Sequence, residues 1–71
     1  MKFNERLKEL RKRQNASQKA FANIMDVARS QYQKYEYGQH MPTLDKISKL
    51  CRHLNISGDF LLGLSDEVKK L

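Results

Sequence analysis

The sequence predicts an all-α fold, a compact bundle of five short helices. Three observations carry that expectation. Apolar residues recur along the chain at the three- and four-residue spacing of a helix face. Asn, Asp, Gly, Ser and Thr punctuate those segments where helices start and stop. No stretch alternates with the period of two expected of a half-buried strand, and there is no internal repeat, low-complexity segment or long linker.

The elements follow in order. Phe3, Leu7 and Leu10 stripe a first helix with Lys and Arg on its other face. It should end near Gln14 and Asn15, because Asn15 tolerates the left-handed conformation that closes helices. Ser17 reads as an N-cap, its oxygen meeting an orphan amide of the next turn. Phe21, Ala22 and Met25 line a second short helix that stops at Asp26 and Val27. A third starts at about Ala28 or Arg29, turns Tyr32 and Tyr35 inward, and ends at Glu36-Tyr37-Gly38, where glycine supplies the closing turn. Gln39 to Met41 loop ahead of Pro42. Thr43 caps a fourth helix striped by Leu44, Ile47, Leu50, Cys51 and Leu54, and Asn55 ends it. Ser57 opens a last helix carrying Phe60, Leu61 and Leu62, closed by Gly63. Residues 1–64 are expected to form the domain, and 65–71 a tail of frayed helix or a dimer contact.

Composition narrows the functions. The 71 residues leave room for one domain and one core, which holds on a margin of roughly 3–5 kcal/mol. Large cofactor pockets and two-domain clefts do not fit. A single cysteine, Cys51, excludes an internal disulfide framework. Lys and Arg number 14 against 8 Asp and Glu, a net charge of +6. That excess suits DNA, RNA or an acidic membrane surface. The N-terminal Met1-Lys2-Phe3-Asn4-Glu5-Arg6 lacks the apolar core of a secretory signal, and no apolar run approaches the ~20 residues of a membrane span. With a reduced thiol, the expected location is the cytoplasm. Cys51 and His53 sit two apart on one helix and point to different faces, and His40 is distant, so no metal site is expected. Cys51 reads as a small core residue. There is no nucleophile motif, glycine-rich phosphate loop or carboxylate pair, so neither a catalytic role nor a cofactor is expected.

The informative unit runs from Ser17 to Gly38. Two short helical patterns flank Asp26-Val27-Ala28, the spacing of a helix-turn-helix whose second helix lies in the major groove. That geometry needs a small residue where the helices approach, here Ala22. It needs a residue able to turn left-handed, here Asp26, and an apolar pin, here Val27. On the third helix Arg29, Ser30, Gln31, Gln33 and Lys34 point away from the tyrosines. Arg and Lys suit guanine O6 and N7, Gln suits adenine N6 and N7, and Ser suits either. The run Arg11-Lys12-Arg13 reads equally as a favourable charge at a helix C-terminus and as an attraction for phosphate.

These motifs resemble a known family. Ser17-Gln18-Lys19-Ala20-Phe21-Ala22, Val27, Tyr35-Glu36-Tyr37-Gly38, Pro42-Thr43-Leu44, Leu54-Asn55-Ile56-Ser57 and Leu61-Leu62-Gly63 together look like the Cro and phage-repressor helix-turn-helix family, also called the xenobiotic-response-element family. The resemblance covers about Leu7 to Gly63. It implies a lambda-repressor-like DNA-binding domain, with the second and third helices forming the helix-turn-helix. It implies that Arg29, Ser30 and Lys34 touch bases, with Gln33 next in line. Gln18 would bind a phosphate and brace Arg29, helped by the free amides of its helix N-terminus. Ser17, Lys19, Gln31, Gln39, His40 and Thr43 fall where the DNA backbone is met. Arg11 and Glu36 would form a partly buried ion pair. Four departures stand out: Asp26 for the usual glycine in the turn, Ala28 for a Ser or Thr cap, Ala20 for a Glu that would complete a capping box, and Gly58 for an apolar residue.

The expected function is therefore that of a transcriptional regulator, a repressor binding double-stranded DNA. An antitoxin or a protein-interaction module on the same fold are the alternatives. One reading helix covers about four or five base pairs, so a homodimer on a palindromic operator is expected, with half-sites about 34 Å apart. Phe60, Leu64, Val68 and Leu71 are the candidate dimer surface, unless Phe60 is core and the tail frays.

Overall fold

Among the described residues, five helices succeed one another as the punctuation residues dictate: α1 Phe3–Arg13, α2 Gln18–Met25, α3 Arg29–Glu36, α4 Leu44–Leu54 and α5 Asp59–Leu62. The computed structural model describes residues 2–71. Each boundary has a local cause. The Ser17 hydroxyl accepts from the Ala20 amide at 3.0 Å and starts α2. Thr43 does the same for α4 through the Lys46 amide at 3.4 Å. Asn15, Asp26 and Asn55 take φ of +53°, +59° and +57°, the left-handed turn that stops a helix and sends the chain back. Asn and Asp bear that conformation with less strain than bulkier side chains. Ser57 accepts from the Asp59 amide at 3.2 Å, and Gly58 stands immediately before α5.

All five helices feed one core. Leu7 and Leu10 come from α1, Phe21, Ala22 and Met25 from α2, Tyr32 and Tyr35 from α3, Ile47, Leu50 and Cys51 from α4, and Phe60 and Leu61 from α5. Ile56, between α4 and α5, joins them. The rings are set edge to face: Phe21 and Tyr32 lie 6.1 Å apart at 80°, Tyr32 and Tyr35 6.2 Å apart at 77°. This arrangement brings a positive ring edge to a negative ring face.

The structure corrects four expectations. Leu44 is 81% exposed; it stands in the first turn of α4, beyond the edge of what the helix packs on. Leu62 is also exposed. Phe60 is core, 1% exposed, and Val68 packs against the core half-buried, so neither is a free surface for a dimer. The tail is not frayed helix. It returns antiparallel to the α4–α5 connection, with Ser57 donating its amide to Lys69 at 2.7 Å and Leu71 to Asn55 at 3.2 Å around a single Ile56–Lys70 bridge.

Arg6 holds that tail in place. The guanidinium donates to the carbonyls of Phe60 at 3.2 Å and Ser65 at 2.6 Å, and to the Asp66 carboxylate at 2.9 Å. It lies 4.7 Å from the centre of the Phe60 ring, with Arg13 at 5.0 Å from the same ring. Aromatic faces attract guanidinium groups, so a residue that reads as surface charge is part of the core's lid.

Leu50→Ala is expected to cost about 2–5 kcal/mol, comparable with the whole margin of a domain this size. Leu44→Ala should stay within about 0.5 kcal/mol. Urea unfolding followed by circular dichroism measures both; equal losses would contradict this division between core and surface.

Candidate nucleic-acid interface

The joint between α2 and α3 determines how α3 is presented. Asp26 turns left-handed, and the Val27 amide then donates to the Ala22 carbonyl at 3.0 Å, closing the end of α2. Val27 packs half-buried against the core and pins the turn. The acid at position 26 is met by α4: Lys46 Nζ donates to the Asp26 carbonyl at 3.2 Å, and Lys49 Nζ lies 3.8 Å from its carboxylate. Such exposed pairs contribute little to stability, but they offset the negative charge of Asp26 beside the outer face of α3. Ala28 stands at the start of α3 with no side-chain cap.

Helix α3 turns Tyr32 and Tyr35 into the core and Arg29, Ser30 and Lys34 outward to solvent, with Gln31 and Gln33 half-buried. The amides of Gln39 and His40 both donate to the Lys34 carbonyl, at 2.9 and 3.3 Å, folding the loop over the end of α3. This sets His40 Nδ1 3.2 Å from Gln31 Nε2. At the other side, Ser17 and Lys19 are exposed around the first turn of α2, and Gln18 is half-buried. Thr43 is exposed at the start of α4, its hydroxyl already accepting from Lys46.

Behind this face lies a buried carboxylate. Glu36 is 5% exposed. Arg11 binds it through two nitrogens, Nε to Oε2 at 2.6 Å and Nη2 to Oε1 at 3.2 Å. The Tyr32 hydroxyl donates to Oε2 and Gln18 Nε2 to Oε1, the latter at 3.3 Å. Arg11 Nη1 also reaches the Ala16 carbonyl at 3.1 Å, tying down the α1–α2 loop. Asn4 donates to the Glu36 carbonyl at 3.3 Å. Donors from α1, α2 and α3 therefore converge on one acid.

Gln18 takes a place that the family resemblance does not imply. Instead of bracing Arg29, it joins Glu36 to Gln33, whose Nε2 donates to Gln18 Oε1 at 3.2 Å. Sequence reasoning missed this link because it runs through a glutamine four residues beyond Arg29. The signal for it is the combination of an acceptor-only Glu36 with one glutamine a turn back on α3, Gln33, and one at the start of α2, Gln18. Cys51, by contrast, is core, with its thiol pushed up in pKa by burial, while His53 is exposed.

Burial alone would raise the pKa of the Glu36 carboxyl. Hydrogen bonds from Arg11, Tyr32 and Gln18 and the charge of Arg11 outweigh it, and the carboxyl is held below its ordinary value. The Tyr32 hydroxyl is raised, by burial first and then by its bond to the carboxylate. Arg11 is raised by the hydrogen bond to Glu36 against the opposing effect of burial.

Two short helices meeting at a tight turn, the second with a polar outer face, define a helix-turn-helix. The chain belongs to the helix-turn-helix family, whose model matches residues 7–61. It is 42% identical over 60 residues to the SPbeta prophage-derived HTH-type transcriptional regulator YonR of Bacillus subtilis, covering 84% of this chain and 56% of that protein. It is 37% identical over 73 residues to the cryptic phage CTXphi transcriptional repressor RstR of Vibrio cholerae, covering 100% of this chain and 65% of that one. The chain thus spans less than two thirds of either relative. Among solved structures, it resembles the restriction-modification controller protein C.AhdI from Aeromonas hydrophila. The TM-score is 0.75 and the identity 36%, over 83% of this chain and 89% of that one.

The pH dependence of stability follows from the two shifted groups. Glu36, depressed on folding, contributes stability that is full above the unfolded carboxyl value of about 4.3 and lost as pH falls through its folded value. Tyr32, raised on folding, contributes stability that is full below about pH 10 and lost as pH rises towards its folded value. The urea midpoint should be level between about pH 6 and 9 and fall on both sides. Glu36→Gln should flatten the acid limb and Tyr32→Phe the alkaline limb. Unchanged limbs in these variants would show that other groups govern them.

Proposed function

We propose that this chain binds double-stranded DNA as a transcriptional regulator, a repressor that sets α3 in the major groove of its operator. One observation carries the reading: α3 is anchored inward by Tyr32 and Tyr35 and turns Arg29, Ser30 and Lys34 outward, clear of the core. An eight-residue helix with that face has the size and chemistry of a groove reader. The excess of positive charge, +6, favours approach to phosphates. The regulator and repressor names of the relatives support the same reading.

Each residue then has a role. Arg29, Ser30, Gln33 and Lys34 read base edges. Ser17, Gln18 and Lys19 meet the backbone on one side of the groove, and Gln31, Gln39, His40 and Thr43 meet it on the other. The Arg11–Glu36 pair holds α3 in place behind them. This is a binding role in the cytoplasm that needs neither a cofactor nor a catalytic group.

A single α3 covers too few base pairs to find one site in a genome, so the protein acts as a homodimer on a palindrome. Leu62, Leu64 and Leu71 are exposed apolar residues near the C-terminal end and are candidates for the contact.

Selection from a random DNA pool at near-physiological salt tests this. An inverted repeat should be enriched, with half-site centres about 34 Å apart. A lone half-site would argue for a monomer, and no enrichment would overturn the DNA-reading role. On the selected site, Arg29→Ala or Lys34→Ala should cost about 1–3 kcal/mol and relax one base position. Equal losses on random DNA would assign these residues to the backbone instead.

A further inference from the structure

An ionised carboxylate can only accept hydrogen bonds. Oε1 of Glu36 receives Arg11 Nη2 and Gln18 Nε2, and Oε2 receives Arg11 Nε and the Tyr32 hydroxyl. This decides which end of the Gln18 amide faces the acid. Reversed, it would set a carbonyl oxygen 3.3 Å from a carboxylate oxygen, with no proton between them. With its nitrogen on Glu36, Gln18 turns Oε1 towards Gln33 and accepts from Gln33 Nε2 at 3.2 Å. The Gln33 amide is then decided too, since reversing it would oppose two carbonyl oxygens. What remains to Gln33 is its own Oε1, which accepts no hydrogen bond among the described residues, and its second amide hydrogen.

We propose that Glu36, acting through Gln18, fixes the polarity of the Gln33 amide so that α3 offers Gln33 Oε1 to the groove as an acceptor. Gln33 thereby selects adenine and discriminates against guanine. This rests on the DNA-reading function proposed above and assigns the specificity of one position within it. In the major groove adenine shows an N6 donor beside an N7 acceptor, whereas guanine shows two acceptors, O6 and N7. The acceptor and the remaining hydrogen of Gln33 match adenine. Guanine would meet Oε1 with a second oxygen or a ring nitrogen, and nothing would lie between them. An unconstrained glutamine escapes that mismatch by turning its amide over. Gln33 cannot do so without breaking its bond to Gln18, and Gln18 cannot follow without opposing Glu36. Glu36 is thus a positioning residue, set back from the bases it influences.

The test is selection from a random DNA pool with the full chain, comparing wild type with Gln33→Ala, Gln18→Ala and Glu36→Gln, after thermal unfolding confirms that each is folded. Gln18 is half-buried and its truncation leaves the Arg11–Glu36 pair in place, so that variant carries the test if Glu36→Gln unfolds. The wild type should prefer adenine over guanine by about tenfold or more at one position, and Gln33→Ala should lose that preference. In Gln18→Ala the preference should fall to about threefold or less at that position alone. Glu36→Gln, when folded, should relax the same position, because a glutamine there can donate as well as accept. Identical base preferences in wild type and Gln18→Ala, whether or not affinity falls uniformly through the lost backbone contact of Gln18, would overturn the relay while leaving DNA reading intact. No enrichment by the wild type would overturn the proposed function and the relay with it.

Discussion

The buried carboxylate of Glu36 is the constraint around which the rest of the molecule is arranged. A charge removed from water is costly unless it is paired and its remaining lone pairs are satisfied. Here the partners come from three helices: Arg11 from α1, Gln18 from α2, and Tyr32 from one turn back on α3 itself. The planar guanidinium binds both oxygens, which fixes direction as well as distance. If α3 rotated or slid, these bonds would lengthen together and leave the charge exposed to an apolar interior.

That constraint acts on a helix with little stability of its own. Eight residues are too few for an isolated helix to persist in water, and Ala28 supplies no cap. Helix α3 is held instead by Tyr32 and Tyr35 in the core, by Glu36 on Arg11, and by the Asp26–Val27 turn. Its outer residues can then be chosen for what they bind, because none of them is needed to keep it in place. The same economy appears at the other end of the molecule. Arg6 joins α1, α5 and the tail through hydrogen bonds and a ring face, where a core this small has few apolar contacts to offer.

Local signals made much of this legible in advance. Asn15, Asp26 and Asn55 mark helix ends because few residues enter the left-handed region as readily, and each does so. Ser17 and Thr43 mark helix starts because their hydroxyls replace a missing backbone acceptor. The inward tyrosines and the outward Arg29, Ser30 and Lys34 follow from the 3.6-residue period. What escaped were features decided by partners distant in the chain. Arg6 looks like the surface cations around it until Ser65 and Asp66 fold back onto it. The tail has no strand pattern because, among the described residues, it makes one isolated bridge, to Ile56, and is otherwise held by Arg6 and by Val68 against the core. Leu44 fits the apolar stripe of α4 yet has no neighbour to pack against. Phe60 looked available for a dimer, but α1 covers it with Arg6 and Arg13. The orientation of Gln18 needs three side chains from two helices at once.

A double-mutant cycle on Arg11 and Glu36, read by urea unfolding near pH 7, tests the central claim most directly. Arg11→Met and Glu36→Gln are made singly and together. If the pair anchors α3, each single change should be strongly destabilising, and the double should cost less than their sum, with a coupling of about 1.5 kcal/mol or more. Effects that add within about 0.5 kcal/mol would mean that the two residues act independently. The position of α3 would then be owed to Tyr32, Tyr35 and the Asp26–Val27 turn.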